Sequence, residues 1–129
     1  MALSGNTDSY QPVERELEIT RKCLQVFLRH RNPVSIVTKG GLIRRDVDIL
    51  GALAERNLVR VSISLTTLRN DVAGAMEPRA ARPDLRLKTI ETLTDAGVPT
   101  GILIAPVVPG LTDEELPRIM ERAAEAGAI

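Results

Sequence analysis

The chain has 129 residues, room for one ordinary domain. Seventeen basic and seventeen acidic side chains give a formal net charge of zero, so electrostatics offer no reason to expect nucleic acid or a membrane surface as partner. Hydrophobic residues at 43% and charged residues at 26% describe a globular chain; Tyr10 and Phe27 are its only aromatics, which leaves no stacking platform for single-stranded bases.

Residues 1–6 read as the tail of a strand or a loop. Glu14 to Arg31 is predicted as one helix, with Val13, Leu17, Leu24, Phe27 and Leu28 as its apolar stripe and Pro12 at its first turn. Its acids come early and Arg29, His30 and Arg31 come late, as the helix dipole favours. Pro33 to Lys39 is a strand rich in β-branched residues, and Gly40–Gly41 a loop. Asp46 to Asn57 is a second helix, with Ile49, Leu50, Leu53 and Ala54 facing inward. Val59 to Leu65 is the next strand, and Thr66 to Arg82 a long connection.

Pro83 to Ala96 is a third helix, with proline at its first position and Gly97 as its C-terminal cap; Leu87, Ile90 and Leu93 are its stripe. Thr100 to Val108 is a strand turned by Pro109–Gly110. Thr112 and Glu115 have the spacing of a capping box for a last helix reaching about Ala126, although Pro117 argues for a start one or two residues later. Gly127 ends that helix, and Ile129 reads as the first residue of a further strand.

Strands alternating with helices imply parallel pairing through right-handed crossovers. The fold class is α/β, a partial (β/α) TIM-type barrel of about four parallel βα units. Residues 1–129 form one such domain, expected to be truncated at both ends, because a full barrel takes roughly 250 residues. The strands read as apolar on both faces, as parallel strands under helices are. Two open sheet edges predict that the isolated chain dimerises, aggregates or is partly molten.

In such folds ligands gather at the carboxyl ends of the strands. Those ends carry Asn6, Thr7 and Asp8; Thr38 and Lys39; Ser64, Thr66 and Thr67; and the segment 106–110. Hydroxyls, a carboxylate and an ammonium on one rim suit a zwitterionic or hydroxyl-rich ligand; the plainer reading is that loops begin there. Cys23 reads as a packed thiol, His30 as a solvated helix end, and Arg44–Arg45 as a solvated pair. Thr38 to Gly41 lacks the spacing of a phosphate loop. Glu77, Pro78 and Arg79 fall in a long loop at the ligand end and read as a loop-stabilising salt bridge. A single cysteine excludes an internal disulfide and a cysteine-only metal site. Without a secretory leader or a membrane-spanning apolar run, the expected location is the cytoplasm.

Five strings in order, NTDSYQPVERE (6–16), PVSIVTKG (33–40), VRVSISLTT (59–67), EPRAARPDLRLKTIETLTDAGVP (77–99) and IAPVVPGLTDEE (104–115), resemble the radical S-adenosylmethionine (SAM) superfamily, in particular its spore photoproduct lyase-like branch. Ser9 stands where that branch commonly has proline. The resemblance implies that the chain runs from the barrel's second strand onward. It implies that Thr7 and Asp8 meet the methionyl amino group of SAM, and that Ser62, Ser64 and Thr66 meet its ribose or carboxylate. It implies that Lys39 contacts the SAM carboxylate or the substrate, and that Val107, Val108 and Gly110 lie beside adenine.

The family's [4Fe–4S] cluster is held by three cysteines, typically CxxxCxxC, after the first strand. One thiolate cannot hold it, so the cluster is expected in an intact parent and not in this chain alone. The reading is therefore a fragment of a radical SAM enzyme core whose parent cleaves SAM to a 5′-deoxyadenosyl radical. Family alone makes a nucleic-acid substrate possible, and the neutral charge does not support it. Two alternatives stand beside it: a lyase or aldolase barrel with Lys39 as Schiff-base lysine, and a non-catalytic remnant.

Overall fold

A computed structural model describes all residues, 1–129. Four parallel strands lie side by side in chain order: β1 (Ala2–Leu3), β2 (Val34–Thr38), β3 (Val59–Ser64) and β4 (Thr100–Leu103). Helices α1 (Glu14–Leu17) and α2 (Ile19–Arg29) join the first two strands. A 3₁₀ segment (Gly41–Asp46) and α3 (Val47–Ala54) join the next pair, and α4 (Asn70–Met76) and α5 (Pro83–Asp95) the last. Helix α6 (Leu116–Glu125) follows β4. The amide of Ile129 donates to the carbonyl of Thr100 (3.0 Å), so the residue expected to open another strand is hydrogen-bonded to the free edge of β4.

Strand order equal to chain order puts every right-handed crossover, and so every helix, on the same face of the sheet. Burial follows. In β2, Val34, Ile36 and Thr38 are buried while Ser35 and Val37 are exposed. In β3, Val59, Val61 and Ile63 are buried while Arg60 is exposed. The register aligns Ser35 with Arg60 and Val37 with Ser62 and Gly101, a continuous row on the face that no helix covers. The expectation of strands buried on both faces is thus corrected. Only the helix-covered side is packed, against Leu24, Leu50, Leu53, Ile90 and Leu93; the bare side is what a barrel wall turns toward its lumen.

The predicted helix over 14–31 is two helices. Glu18 adopts a left-handed conformation (φ 51°) between them. The cause is the buried Glu14, whose carboxylate accepts from the amides of Thr20 (2.9 Å) and Arg21 (3.3 Å) and so satisfies the orphan donors of the first turn of α2. The stripe fails with the break: Val13 and Leu17 are exposed and only Leu24 is buried. Helix α4 sits inside the stretch expected to be irregular.

Strand β4 stops at Leu103 rather than Val108. The last rung is the bond from the Leu65 amide to the Leu103 carbonyl (3.0 Å), after which β3 has no further residues to pair and Pro106 has no amide to give. The capping box is not formed. The Thr112 hydroxyl accepts from the Val108 amide (2.9 Å), Glu115 accepts from Thr67 and Leu68 in the loop after β3 instead, and α6 carries Pro117 within its first turn.

One turn recurs where each helix hands over to the next strand. After α2, α3, α5 and α6 a residue of positive φ, namely Arg31, Asn57, Gly97 and Gly127, is followed by an amide that bonds back to the carbonyl five residues earlier: Asn32 to Phe27, Leu58 to Leu53, Val98 to Leu93, Ala128 to Ala123. This Schellman turn closes the orphan carbonyls and pins an apolar residue such as Val98 under the sheet.

Candidate functional site: the strand-end rim

The carboxylate of Asp8 ties the loop after β1 to the end of β2. Its Oδ1 accepts from the amide of Tyr10 (2.9 Å) and the hydroxyl of Thr38 (2.6 Å), and its Oδ2 from the amide of Lys39 (2.8 Å). Thr38 in turn accepts from the amide of Gly40 (2.9 Å). Gly40 fits only as glycine, since a Cβ there would stand 2.9 Å from the Tyr10 carbonyl oxygen.

The ammonium of Lys39 pairs with Glu77 (2.7 Å), and the other oxygen of Glu77 accepts from Arg86 (2.6 Å). Arg86 is buried and also donates to the carbonyls of Ser64 (2.9 Å) and Ala81 (2.7 Å). Burial alone would raise the Glu77 carboxyl; the hydrogen bonds from Lys39 and Arg86 outweigh it and hold the carboxyl below the ordinary glutamate value. Asp8, Lys39 and Ser64 are thereby linked along one end of the sheet, where strand-end chemistry was expected. Arg79, the expected salt-bridge partner for Glu77, pairs with nothing; the partners are Lys39 and Arg86.

At the end of β3, Ser64, Thr66 and Thr67 are buried. Thr67 donates its hydroxyl to Glu115 (2.6 Å), whose second oxygen accepts from the Leu68 amide (2.9 Å), tying the start of α6 to the rim. Thr66 is 1% exposed, and its hydroxyl oxygen is the one buried side-chain polar atom in the chain without a hydrogen-bond partner. Ser62 is half-buried within β3, on the bare face beside Gly101. Thr7 is exposed, and Val107, Val108 and Gly110 belong to the loop beyond β4, where the Gly110 amide donates to Asp113 (2.8 Å). A cleft of about 590 Å³ opens at the rim between Asp8, Lys39 and Glu77.

Behind the rim lies a buried polar network. Asp46 accepts from Tyr10 (3.1 Å), Arg21 (2.8 Å) and Arg45 (2.9 Å), and Arg45 also reaches the Glu14 carboxylate (3.1 Å). Arg45 is therefore no solvated residue; it clamps α1 to the 3₁₀ segment. Burial and the adjacent Asp46 carboxylate push the Tyr10 phenol well above its ordinary range. Arg86 and Glu115 were missed in the sequence, yet Arg86 falls on the buried stripe Pro83–Arg86–Ile90–Leu93, a spacing that helical periodicity displays.

The model of the radical SAM superfamily matches residues 1–123. The chain belongs to the radical SAM superfamily. It is 33% identical over 130 residues to an uncharacterized protein of Mycobacterium tuberculosis, a match covering 99% of this chain and 38% of that relative. It is 26% identical over 113 residues to an uncharacterized protein of Methanocaldococcus jannaschii (88% of this chain, 42% of the relative). It is also 33% identical over 98 residues to the GTP 3′,8-cyclase of Streptomyces coelicolor (76% and 28%). The chain thus spans well under half the length of these relatives. No solved structure matches it.

Family members in general use SAM and a [4Fe–4S] cluster. The cluster does not fit the residues present: Cys23 stands alone in α2, and no three His, Cys, Asp or Glu side chains are placed to hold a metal. The donor set left for SAM is the unpartnered Thr66 hydroxyl, which can both give and accept a hydrogen bond at the strand ends. No helix is long and apolar enough to cross a membrane.

Proposed function

We propose that residues 1–129 form a SAM-contacting segment of barrel wall in a radical SAM enzyme whose cluster cysteines lie outside these residues. The observation that carries the reading is the orphaned Thr66 hydroxyl. Burying a hydroxyl with no partner costs about 1–3 kcal/mol, a cost removed when a ligand supplies the missing bond. Bound SAM would supply a sulfonium whose carbon–sulfur bond one electron from the cluster of the intact protein would break, leaving methionine and a 5′-deoxyadenosyl radical. Ser62, Ser64 and Thr66 would hold its ribose or carboxylate, with the loop residues Val107, Val108 and Gly110 along adenine. Thr7 lies at the amino-acid end. Asp8 acts mainly through the Lys39 and Tyr10 amides that it holds, and Lys39 through its pairing with Glu77. The ordered strings from Asn6 to Glu115 favour the spore photoproduct lyase-like branch; the zero net charge does not favour a nucleic-acid substrate. A Schiff-base role for Lys39 is disfavoured, since its nitrogen, which would have to attack a carbonyl, is salt-bridged to Glu77 (2.7 Å).

The test is Thr66→Val, titrated with SAM and followed by NMR, with a urea melt alongside. The expected result is an unliganded chain no less stable than the wild type and about tenfold weaker SAM binding. A variant that binds SAM as tightly as the wild type removes Thr66 from the site and the reading with it.

A further inference from the structure

A second cleft, of about 700 Å³, lies beside the rim cleft and shares Tyr10, Pro12, Gly40 and the segment 79–81 with it. Its lining includes Arg15, Arg44, Arg45 and Arg79 and no carboxylate. Arg45 is neutralised by Glu14 and Asp46. Arg15, Arg44 and Arg79 have no carboxylate within ion-pair distance; Arg15 and Arg79 are exposed, while the half-buried Arg44 differs in this from the half-buried Arg21 and the buried Arg86, which both find one. Arg44 is also oriented: its Nε donates to the Gly41 carbonyl (3.1 Å), which leaves both terminal nitrogens unbonded. Three guanidiniums around one concavity with no carboxylate in its lining give it a positive potential, and planar guanidinium forks match phosphate oxygens in pairs.

We propose that the cleft of Arg15, Arg44 and Arg79 binds the phosphate group of a small phosphorylated ligand whose other end reaches the strand-end rim. The proposal rests on the rim being the ligand site, as argued above. A phosphorylated small molecule is favoured over a nucleic acid because the cationic patch is confined to one cleft and the chain has only two aromatic residues for base stacking.

The full chain is titrated calorimetrically with pyrophosphate at low salt, as wild type and as Arg15→Gln, Arg44→Gln, Arg79→Gln and the control Arg118→Gln, an exposed arginine on α6 outside the cleft. Saturable binding, weakened about tenfold by each cleft substitution and unchanged in the control, supports the site. The side chains of Arg15 and Arg79 are exposed and make no hydrogen bond, so replacing them leaves the fold intact, which far-UV circular dichroism verifies. Absence of saturable binding, or equal weakening by Arg118→Gln, overturns the proposal. So does a single-stranded oligonucleotide that binds through the same arginines more tightly than pyrophosphate does. SAM is titrated into the wild type as well: SAM binding without saturable pyrophosphate binding sinks this site and spares the SAM assignment, whereas a Thr66→Val chain that binds SAM as tightly as the wild type, with pyrophosphate still held by the cleft arginines, does the reverse.

Discussion

Glu77→Ala is the most informative single change to the scaffold of the rim. Glu77 has a side chain 10% exposed and neutralises Arg86, itself 3% exposed, and Lys39, 41% exposed. Removing one partner of a fully buried pair costs about 3–5 kcal/mol, because the other charge is left unpaired. Arg86 keeps two carbonyl acceptors, Ala81 and Ser64, which recover part of that loss. The Lys39 arm behaves as a surface pair worth about 0–1 kcal/mol. The expected loss is therefore about 2–3 kcal/mol for Glu77→Ala and at most about 1 kcal/mol for Lys39→Ala. Urea melts at one protein concentration decide it: the first variant should shift the midpoint by about 1 M or more, the second by much less. Equal losses for the two, or a loss under about 0.5 kcal/mol for Glu77→Ala, would refute the claim that burial of Arg86 sets the scale.

Arg31 and Gly127 occupy the same position of the recurring turn and predict opposite signs. Arg31→Gly relieves a left-handed non-glycine residue (φ 52°) and should add up to about 1 kcal/mol. Gly127→Ala places a Cβ 2.6 Å from the Thr94 hydroxyl at φ 93° and should cost about 2 kcal/mol; thermal melts that rank the pair the other way contradict the turn assignment. Glu14, Asp48 and Glu77 are all held below their ordinary values, for the two glutamates against burial, by hydrogen bonds that outweigh it. Below those ordinary values, 4.5 and 3.8, the unfolded chain binds more protons than the folded one. Stability from these groups is thus present above that range and lost as pH falls through it, and a urea midpoint as high at about pH 3.5 as at about pH 7 would exclude them. Both sheet edges are open, so sedimentation should show concentration-dependent self-association, and a monodisperse monomer would count against it.

The alternation of strand and helix was legible because Val59, Val61 and Ile63 recur every second residue while Leu87, Ile90 and Leu93 recur at helical spacing, a signal that survives without knowledge of the fold. That Asp8, Lys39 and Ser64 share one end of the sheet was legible because alternating strands and helices make every strand point the same way. What the sequence hid were long-range polar contacts. Nothing local announces that Glu14 caps a helix six residues on, that Glu115 turns away from its own helix to Thr67, or that Arg45 is locked onto Asp46 rather than solvated. Such bonds depend on where the backbone has already gone, so they are read only after the fold is in hand.

Because each strand pairs only with its predecessor, Ala2 with Ser35, Val34 with Val59, Val61 with Thr100, the sheet never waits for a distant segment to close a gap in its middle. A chain emerging from the ribosome with its N-terminus first can lay down one finished edge at a time, each becoming the template for the next. Assembly of this wall is then a zipper that runs in the direction of synthesis, and a lesion in β2 or β3 would halt every unit downstream of it.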